Sequence, residues 1–333
     1  MTNHPTTRNV PAAGTRLALI SGGSRGLGLC IGRELAQRGF NLALISRTES
    51  ELAEAAQTLR ADYPGITVEY YPADVSDRTR VQQVVETIEA NQGPIEVLFN
   101  VAGIIQVGPL ENVTEELFDE SIGAMLMGPI NVTWAVLPHM RRRRRGHIGT
   151  VSSIGGAIAV PHLLPYSTAK FGAYGFSEGL TTELRGTGVT ATTILPGPMR
   201  TGSHERAQYF GQRDREYAWF APGASIPVVS ISSTTAAKRM VEGTLEGKSH
   251  VILTPIAKVA MRLHGLSPQL FVKGMSVAAQ FFPNASTAAD SHQPREGRTI
   301  GGLRKSLPMK ALTFLGDRVS KKNQEHPERG NRK

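Results

Sequence analysis

The sequence predicts an α/β fold, doubly wound, in which a seven-stranded parallel sheet carries helices on both faces. Three observations predict it. Short, apolar, β-branched runs alternate with longer helical patterns from Arg16 to Thr254, as strands joined by helical crossovers do. The first three runs begin about 25 residues apart, enough for one strand, one helix and the return. The runs are also almost continuously apolar, which suits strands buried on both faces.

In chain order, the first strand is LALIS (17–21), followed by a glycine-rich turn and a helix. NLALIS (41–46), TVEYY (67–71) and EVLFN (96–100) are the next three, each after a helical stretch. A long helix is expected from about Thr114 into five consecutive arginines, Arg141 to Arg145, with Gly146 as its stop signal. HIGTVSS (147–153), TATTIL (190–195) and HVILT (250–254) complete the seven strands. Beyond residue 255 the alternation ends. Residues 255–283 read as two amphipathic helices broken at Gly265 and Pro268, and residues 307–323 as one more helix. The predicted organisation is a flexible N-terminus (1–15), a main domain (16–255), a helical extension (256–323) with a loop or disordered stretch at about 284–303, and a disordered tail (324–333).

With 333 residues, 40% of them hydrophobic, the chain can bury one large core. Its single cysteine, Cys30, rules out an intrachain disulfide, suits a reducing compartment and is read as core packing. The N-terminal stretch lacks the apolar core of a secretory signal, and no run of about 18 apolar residues is present. A cytoplasmic protein is therefore expected. The formal net charge of +9 raises nucleic acid or an anionic surface as a partner. Arginines at a helix C-terminus, however, are favourable with the helix dipole without any partner. No nucleic-acid partner is expected.

The chemistry begins at the first turn, where Gly22, Gly26 and Gly28 follow a buried strand and open an amphipathic helix. Glycines there let the backbone approach a pyrophosphate, and the helix N-terminus faces its charge. In this context the spacing is that of a Rossmann-type dinucleotide site. At the end of the second strand, where an acidic residue would bind ribose hydroxyls, stand Ser46 and Arg47. Arg47, joined by Arg25 from the glycine loop, can pair with a 2′-phosphate, which favours NADP(H) over NAD(H). Tyr166 and Lys170 lie one helical turn apart, and an ammonium near the phenol is expected to lower its pKa. Ser153, at the C-terminal end of a strand, can hold a substrate carbonyl oxygen. No motif calls for a metal.

Taken together, SGGSRGLG (21–28), ADV (73–75), NVAG (100–103), GTVSS (149–153), YSTAK (166–170) and PGPMRT (196–201) resemble the short-chain dehydrogenase/reductase family over roughly residues 15–255. The shorter, single-domain branch fits best. The resemblance implies that Tyr166 is the proton donor or base, that Lys170 tunes it and binds the nicotinamide ribose, and that Ser153 orients the substrate oxygen. It implies cofactor contacts from Gly22, Ser24, Arg25, Gly26, Leu27, Gly28 and Arg47, from Asp74 and Val75 beside the adenine, from Asn100, Ala102 and Gly103 along the cleft, and from Pro196, Gly197 and Thr201 near the nicotinamide. One position departs from the pattern. Where the family carries a catalytic asparagine this chain has Met125, and a thioether is no amide donor. Asn131 is six residues further on and is not expected to replace it.

The expected activity is NADP(H)-dependent interconversion of a carbonyl compound and an alcohol. Aromatic residues in the segment 198–231 (Tyr209, Phe210, Tyr217, Trp219, Phe220) suggest an apolar cover and a bulky lipophilic substrate. The alternative is a cofactor-binding regulatory or weakly active relative, because of Met125. The extension helices are expected to serve as a substrate wall, as a subunit interface in a homo-oligomer, or as a peripheral contact with the inner face of a membrane.

Overall fold

The computed structural model describes residues 16–226 and 230–325. The readings made for residues 1–15 and 326–333 lie outside the described residues. The seven expected strands form one sheet: β1 (Leu17–Ser21), β2 (Asn41–Ser46), β3 (Val68–Pro72), β4 (Ile95–Asn100), β5 (Gly146–Val151), β6 (Val189–Leu195) and β7 (His250–Ile252). All pairings are parallel, in the order β7-β6-β5-β4-β1-β2-β3. β1 lies between β2 and β4, so that Ser21 faces Ile45 on one side and Asn100 on the other. The winding reverses between β1 and β4, and the crevice beyond their C-terminal ends is where such sheets bind ligands.

Alternation along each strand feeds two cores. Ala18 and Ile20 pack with α1 (Gly26–Gln37), α2 (Glu49–Asp62) and α8 (Ser233–Leu245). Leu17 and Leu19 pack on the opposite face with α3 (Arg78–Asn91), α5 (Gly128–Arg143) and α6 (Leu164–Glu183). Side chains of successive strand residues point to opposite faces, which is why one apolar run can serve both layers.

The long helix expected from Thr114 is interrupted. Thr114 caps α4 (Glu115–Ile122) by accepting the Leu117 N–H at 3.3 Å. A π-helical turn follows at Gly123–Met127, and α5 then continues. By length and composition alone the stretch Glu115–Arg143 could cross a membrane, but half of its most apolar part is buried inside the protein. Gly146 is not its stop. Arg144 takes the left-handed conformation (φ 53°), and the chain closes through Arg144 N–H to Arg141 O and Arg145 N–H to Met140 O. Gly146 is already the first residue of β5, packed against Met140.

The extension starts with a hairpin of α9 (Pro255–Leu266) and α10 (Pro268–Ala279), broken at Ser267. Of the two readings for 284–303, a loop or a disordered stretch, the described residues form a loop that is held in place. Arg295 and Glu296 pair antiparallel with Gln208 and Tyr209, and Asn112 binds both Ser286 and Ser291. The last helix, α11 (Leu307–Lys322), returns the chain to the glycine loop. The tail prediction fails at its first two residues. Gln324 and Glu325 are buried, because α11 delivers them into a polar niche beside α1.

Candidate active site

The phosphate loop is built as the sequence requires. Arg25 precedes α1 in extended conformation and makes no side-chain cap, and the first turn of α1 carries no acidic residue. Neither the loop nor the first turn of α1 therefore supplies an acid of its own to the helix N-terminus, which favours an anion there. Gly28 is obligatory on packing grounds, since a Cβ there would overlap the carbonyl of Gly22. Together these features form a cradle that fits a dinucleotide.

A cleft of about 230 Å³ runs from this loop across the strand ends. Gly22, Ser24, Arg25, Gly26, Leu27, Gly28, Arg47, Asp74, Val75, Ala102, Gly103, Pro196 and Thr201 line it, along with Tyr166 and Lys170. Asn100, Gly197 and the predicted catalytic Ser153 do not. The Asn100 amide turns into the sheet, donating to Thr133 Oγ1 at 3.0 Å and Thr150 Oγ1 at 3.4 Å, so it binds α5 and β5 rather than the cleft. Gly197 packs under Thr254. Asp74 accepts from the Ser76 N–H and hydroxyl, closing a turn at the cleft edge. Asn131 secures the same turn by donating to Val75 O and Ser76 O.

Ser153, Tyr166 and Lys170 are brought together. Pro165 sits in the first turn of α6, where its missing N–H does no harm, and Tyr166 and Lys170 follow one turn apart. Lys170 is buried; its ammonium donates to Val151 O at 2.8 Å, and burial lowers its pKa to about 8. The Ser153 hydroxyl accepts the Gly155 N–H at 3.1 Å and stands beside the Tyr166 ring. The sequence-based expectation for the phenol is reversed. Burial raises the Tyr166 pKa and the Ser153 contact offsets this in part, while Lys170 Nζ lies 6.0 Å from the ring centre. A phenol that holds its proton is equipped to donate it.

Met125 sits within the π-helical turn, fully buried, and lines the cleft. Its thioether packs against Gly103, 3.3 Å from where a Cβ would stand, beside Lys170. A π-turn shifts the facing of the residues after it and is common at functional positions.

Four elements of the site escape sequence reasoning. Ile104, Ile105 and Met199 give the cleft an apolar wall. Arg206 enters from the segment after β6, donating to Glu51 Oε1 at 2.7 Å. Glu51, on α2, also lies 3.7 Å from Arg25 Nε. Glu325 reaches the cleft from the far end of the chain and pairs with Arg25. No motif marks Glu325, because 300 residues separate it from Arg25.

The aromatic segment departs from expectation. Tyr209, Phe210 and Tyr217 are buried and none of the five aromatics lines the cleft. Tyr209 and Tyr217, the latter on α7 (Arg213–Gly223), join Val107, Leu163, Ile300 and Met309 in a third core, and Trp219 stacks edge-on with Phe282 at 4.6 Å. The extension supplies apolar partners that a sequence reading leaves unassigned. Within the extension, the described residues 255–283 contribute nothing to the cleft wall.

A family model described as short chain dehydrogenase matches residues 16–209. A ketoacyl reductase ascribed to the monensin polyketide synthase of Streptomyces virginiae is 36% identical over 196 residues, 58% of this chain and 74% of the relative. Among solved structures, a short-chain dehydrogenase/reductase from Burkholderia phymatum in complex with NAD superposes with a TM-score of 0.71 at 23% identity, covering 78% of this chain and 96% of that one. An actinorhodin polyketide ketoreductase variant with NADPH gives 0.62 at 25% identity, covering 72% and 95%.

Proposed function

The chain belongs to the short-chain dehydrogenase family, and from that premise we propose that it is an NADP(H)-dependent carbonyl reductase acting on a bulky, apolar ketone or aldehyde. The observation that carries the reading is that Tyr166 and Lys170 line the cleft, with the Ser153 hydroxyl beside the Tyr166 ring. Bound there, the nicotinamide supplies or accepts the hydride. Every other task falls to the chain. The Ser153 hydroxyl holds the substrate oxygen, the Tyr166 phenol transfers the proton to it, and the Lys170 ammonium supplies positive charge beneath the site. Ile104, Ile105, Met125 and Met199 suit an apolar substrate body. The ketoacyl and polyketide substrates named for two similar proteins agree with that class. Arg25 and Arg47 support the choice of NADP(H), although both already face acids: Glu325 and Glu51 at Arg25, Glu120 at Arg47.

The test is oxidation of NADPH with a panel of lipophilic ketones, comparing wild type with Tyr166→Phe. Loss of roughly 100-fold or more in turnover is expected from removing a general acid. Equal rates would remove the enzyme reading and favour the regulatory alternative that Met125 suggests.

The proposal extends to where the enzyme works. α10 has no buried residue, and Leu263, Leu266, Leu270 and Phe281 of the hairpin region are all exposed. No acidic residue occurs between Glu246 and Asp290, whereas Lys248, Lys258, Arg262 and Lys273 do. An apolar hairpin whose own sequence carries cations and no acid suits an anionic lipid surface, at which lipophilic substrates concentrate.

A further inference from the structure

The least expected feature of the cleft is that the chain's own C-terminal segment is seated on its phosphate loop. The Asn323 carbonyl accepts the Gly26 N–H at 2.7 Å, one of the donors at the open N-terminus of α1. The Asn323 side chain is locked in place: Nδ2 donates to Thr201 O at 3.1 Å, and Oδ1 accepts from Cys30 Sγ and Arg33. Gln324 then turns through a left-handed conformation (φ 57°), and the Glu325 N–H returns to Ser320 O at 2.9 Å. This turn aims the Glu325 carboxylate back at the loop. It pairs with the Arg25 guanidinium, and a Cβ on Gly26 would collide with it. Arg206 secures the backbone behind it by donating to Glu325 O at 2.9 Å. Glu325 is 3% exposed.

We propose that Glu325 is a specificity-determining residue for the cofactor, a resident anion that competes with the 2′-phosphate of NADP(H) for Arg25. This rests on the reading of the cleft as a nicotinamide dinucleotide site. Arg25 is the loop arginine placed to bind a 2′-phosphate, and its charge is already matched by Glu325, with Glu51 close by. A 2′-phosphate entering there meets two carboxylates and must displace one. A 2′-hydroxyl meets two acceptors and displaces neither. The acid that the second strand lacks at Ser46–Arg47 is thus supplied from the other end of the chain. The native enzyme accepts NADH far better than its glycine-loop arginine suggests, and the Glu325 contact narrows the preference for NADPH.

The test compares dissociation constants of NADPH and NADH, measured by fluorescence titration, for wild type, Glu325→Gln and Glu325→Ala. Loss of the carboxylate that competes with the 2′-phosphate for Arg25 is expected to tighten NADPH about tenfold more than NADH. Equal changes for both nucleotides, no change, or weaker NADPH binding would overturn the assignment. Wild-type protein supplies an independent readout. NADPH is expected to accelerate hydrogen exchange of the amides of residues 323–325, whereas NADH leaves them protected; equal protection by both would count against displacement. If none of these proteins binds either nucleotide, the cofactor reading of the cleft itself fails, an outcome separate from an unmoved NADPH-to-NADH ratio.

Discussion

At the residue scale, Lys170 illustrates how a site works against the fold that carries it. Burial lowers its pKa from 10.5 to about 8, so the folded state disfavours the charged form. That penalty is fully present below about pH 8 and fades as pH rises toward 10.5. Two outcomes follow. The reductive rate of the wild type should fall above about pH 8, as the ammonium loses its proton. Lys170→Met should lose most turnover yet gain about 1–3 kcal/mol of stability at pH 7, an advantage that shrinks between pH 8 and 10.5; thermal melts across that range check it. Met125 makes the opposite kind of case. It packs against Gly103 beside Lys170, where the family has an asparagine. Met125→Asn should raise turnover or leave it little changed in steady-state assays. A large loss would show that the thioether contributes to the substrate wall.

At the element scale, the π-turn at Gly123–Met127 and the α9–α10 hairpin matter most. The hairpin was legible as two amphipathic helices from their periodicity, but periodicity cannot say what an apolar face meets. In the fold those faces are left exposed. Wild type should float with phosphatidylcholine vesicles containing phosphatidylglycerol and not with phosphatidylcholine alone. Leu263→Asp combined with Leu270→Asp should abolish flotation while leaving turnover of a soluble ketone intact. If instead the wild type is a dimer that the double variant splits into monomers, the hairpin is a subunit interface and the lipid reading falls. The aromatic segment carries the complementary lesson. Its composition suggested a cover over the substrate, yet Tyr209 and Tyr217 were claimed by the third core. Aromatic side chains bury wherever apolar partners arrive, and here α11 and the loop before it brought them.

At the scale of the whole molecule, the excess positive charge is partly structural. Of the five arginines, Arg143 forks onto Glu89 and donates to Ile95 O, Arg144 donates to Gly186 O, and Arg145 shares Glu96 with Arg16. The run therefore fastens the end of α5 to the beginning of β4, at the N-terminal ends of the strands, opposite the cleft. Burial tends to raise the Glu96 pKa, but Arg16 and Arg145 hold it below the ordinary 4.5. A depressed carboxyl contributes stability above its unfolded pKa and loses it as pH falls through the folded one. Glu96→Gln should thus cost about 1–3 kcal/mol at pH 7, measured by denaturant unfolding, and the gap to wild type should close as the pH is lowered below 4.5.

What the sequence determined by itself was everything that depends on near neighbours. Seven strands, the glycine loop, the Tyr166–Lys170 spacing and the hairpin all rest on local periodicity and turn chemistry, which are written in consecutive residues. What only the tertiary structure decided was everything that depends on which distant segments meet. It turned Asn100 away from the cleft, reversed the pKa shift expected of Tyr166, buried the aromatic segment, and set Glu325 against Arg25. The reason is physical. Burial and charge pairing act through space, and the partner that fixes a group's solvation or protonation can lie hundreds of residues away, where no motif reaches.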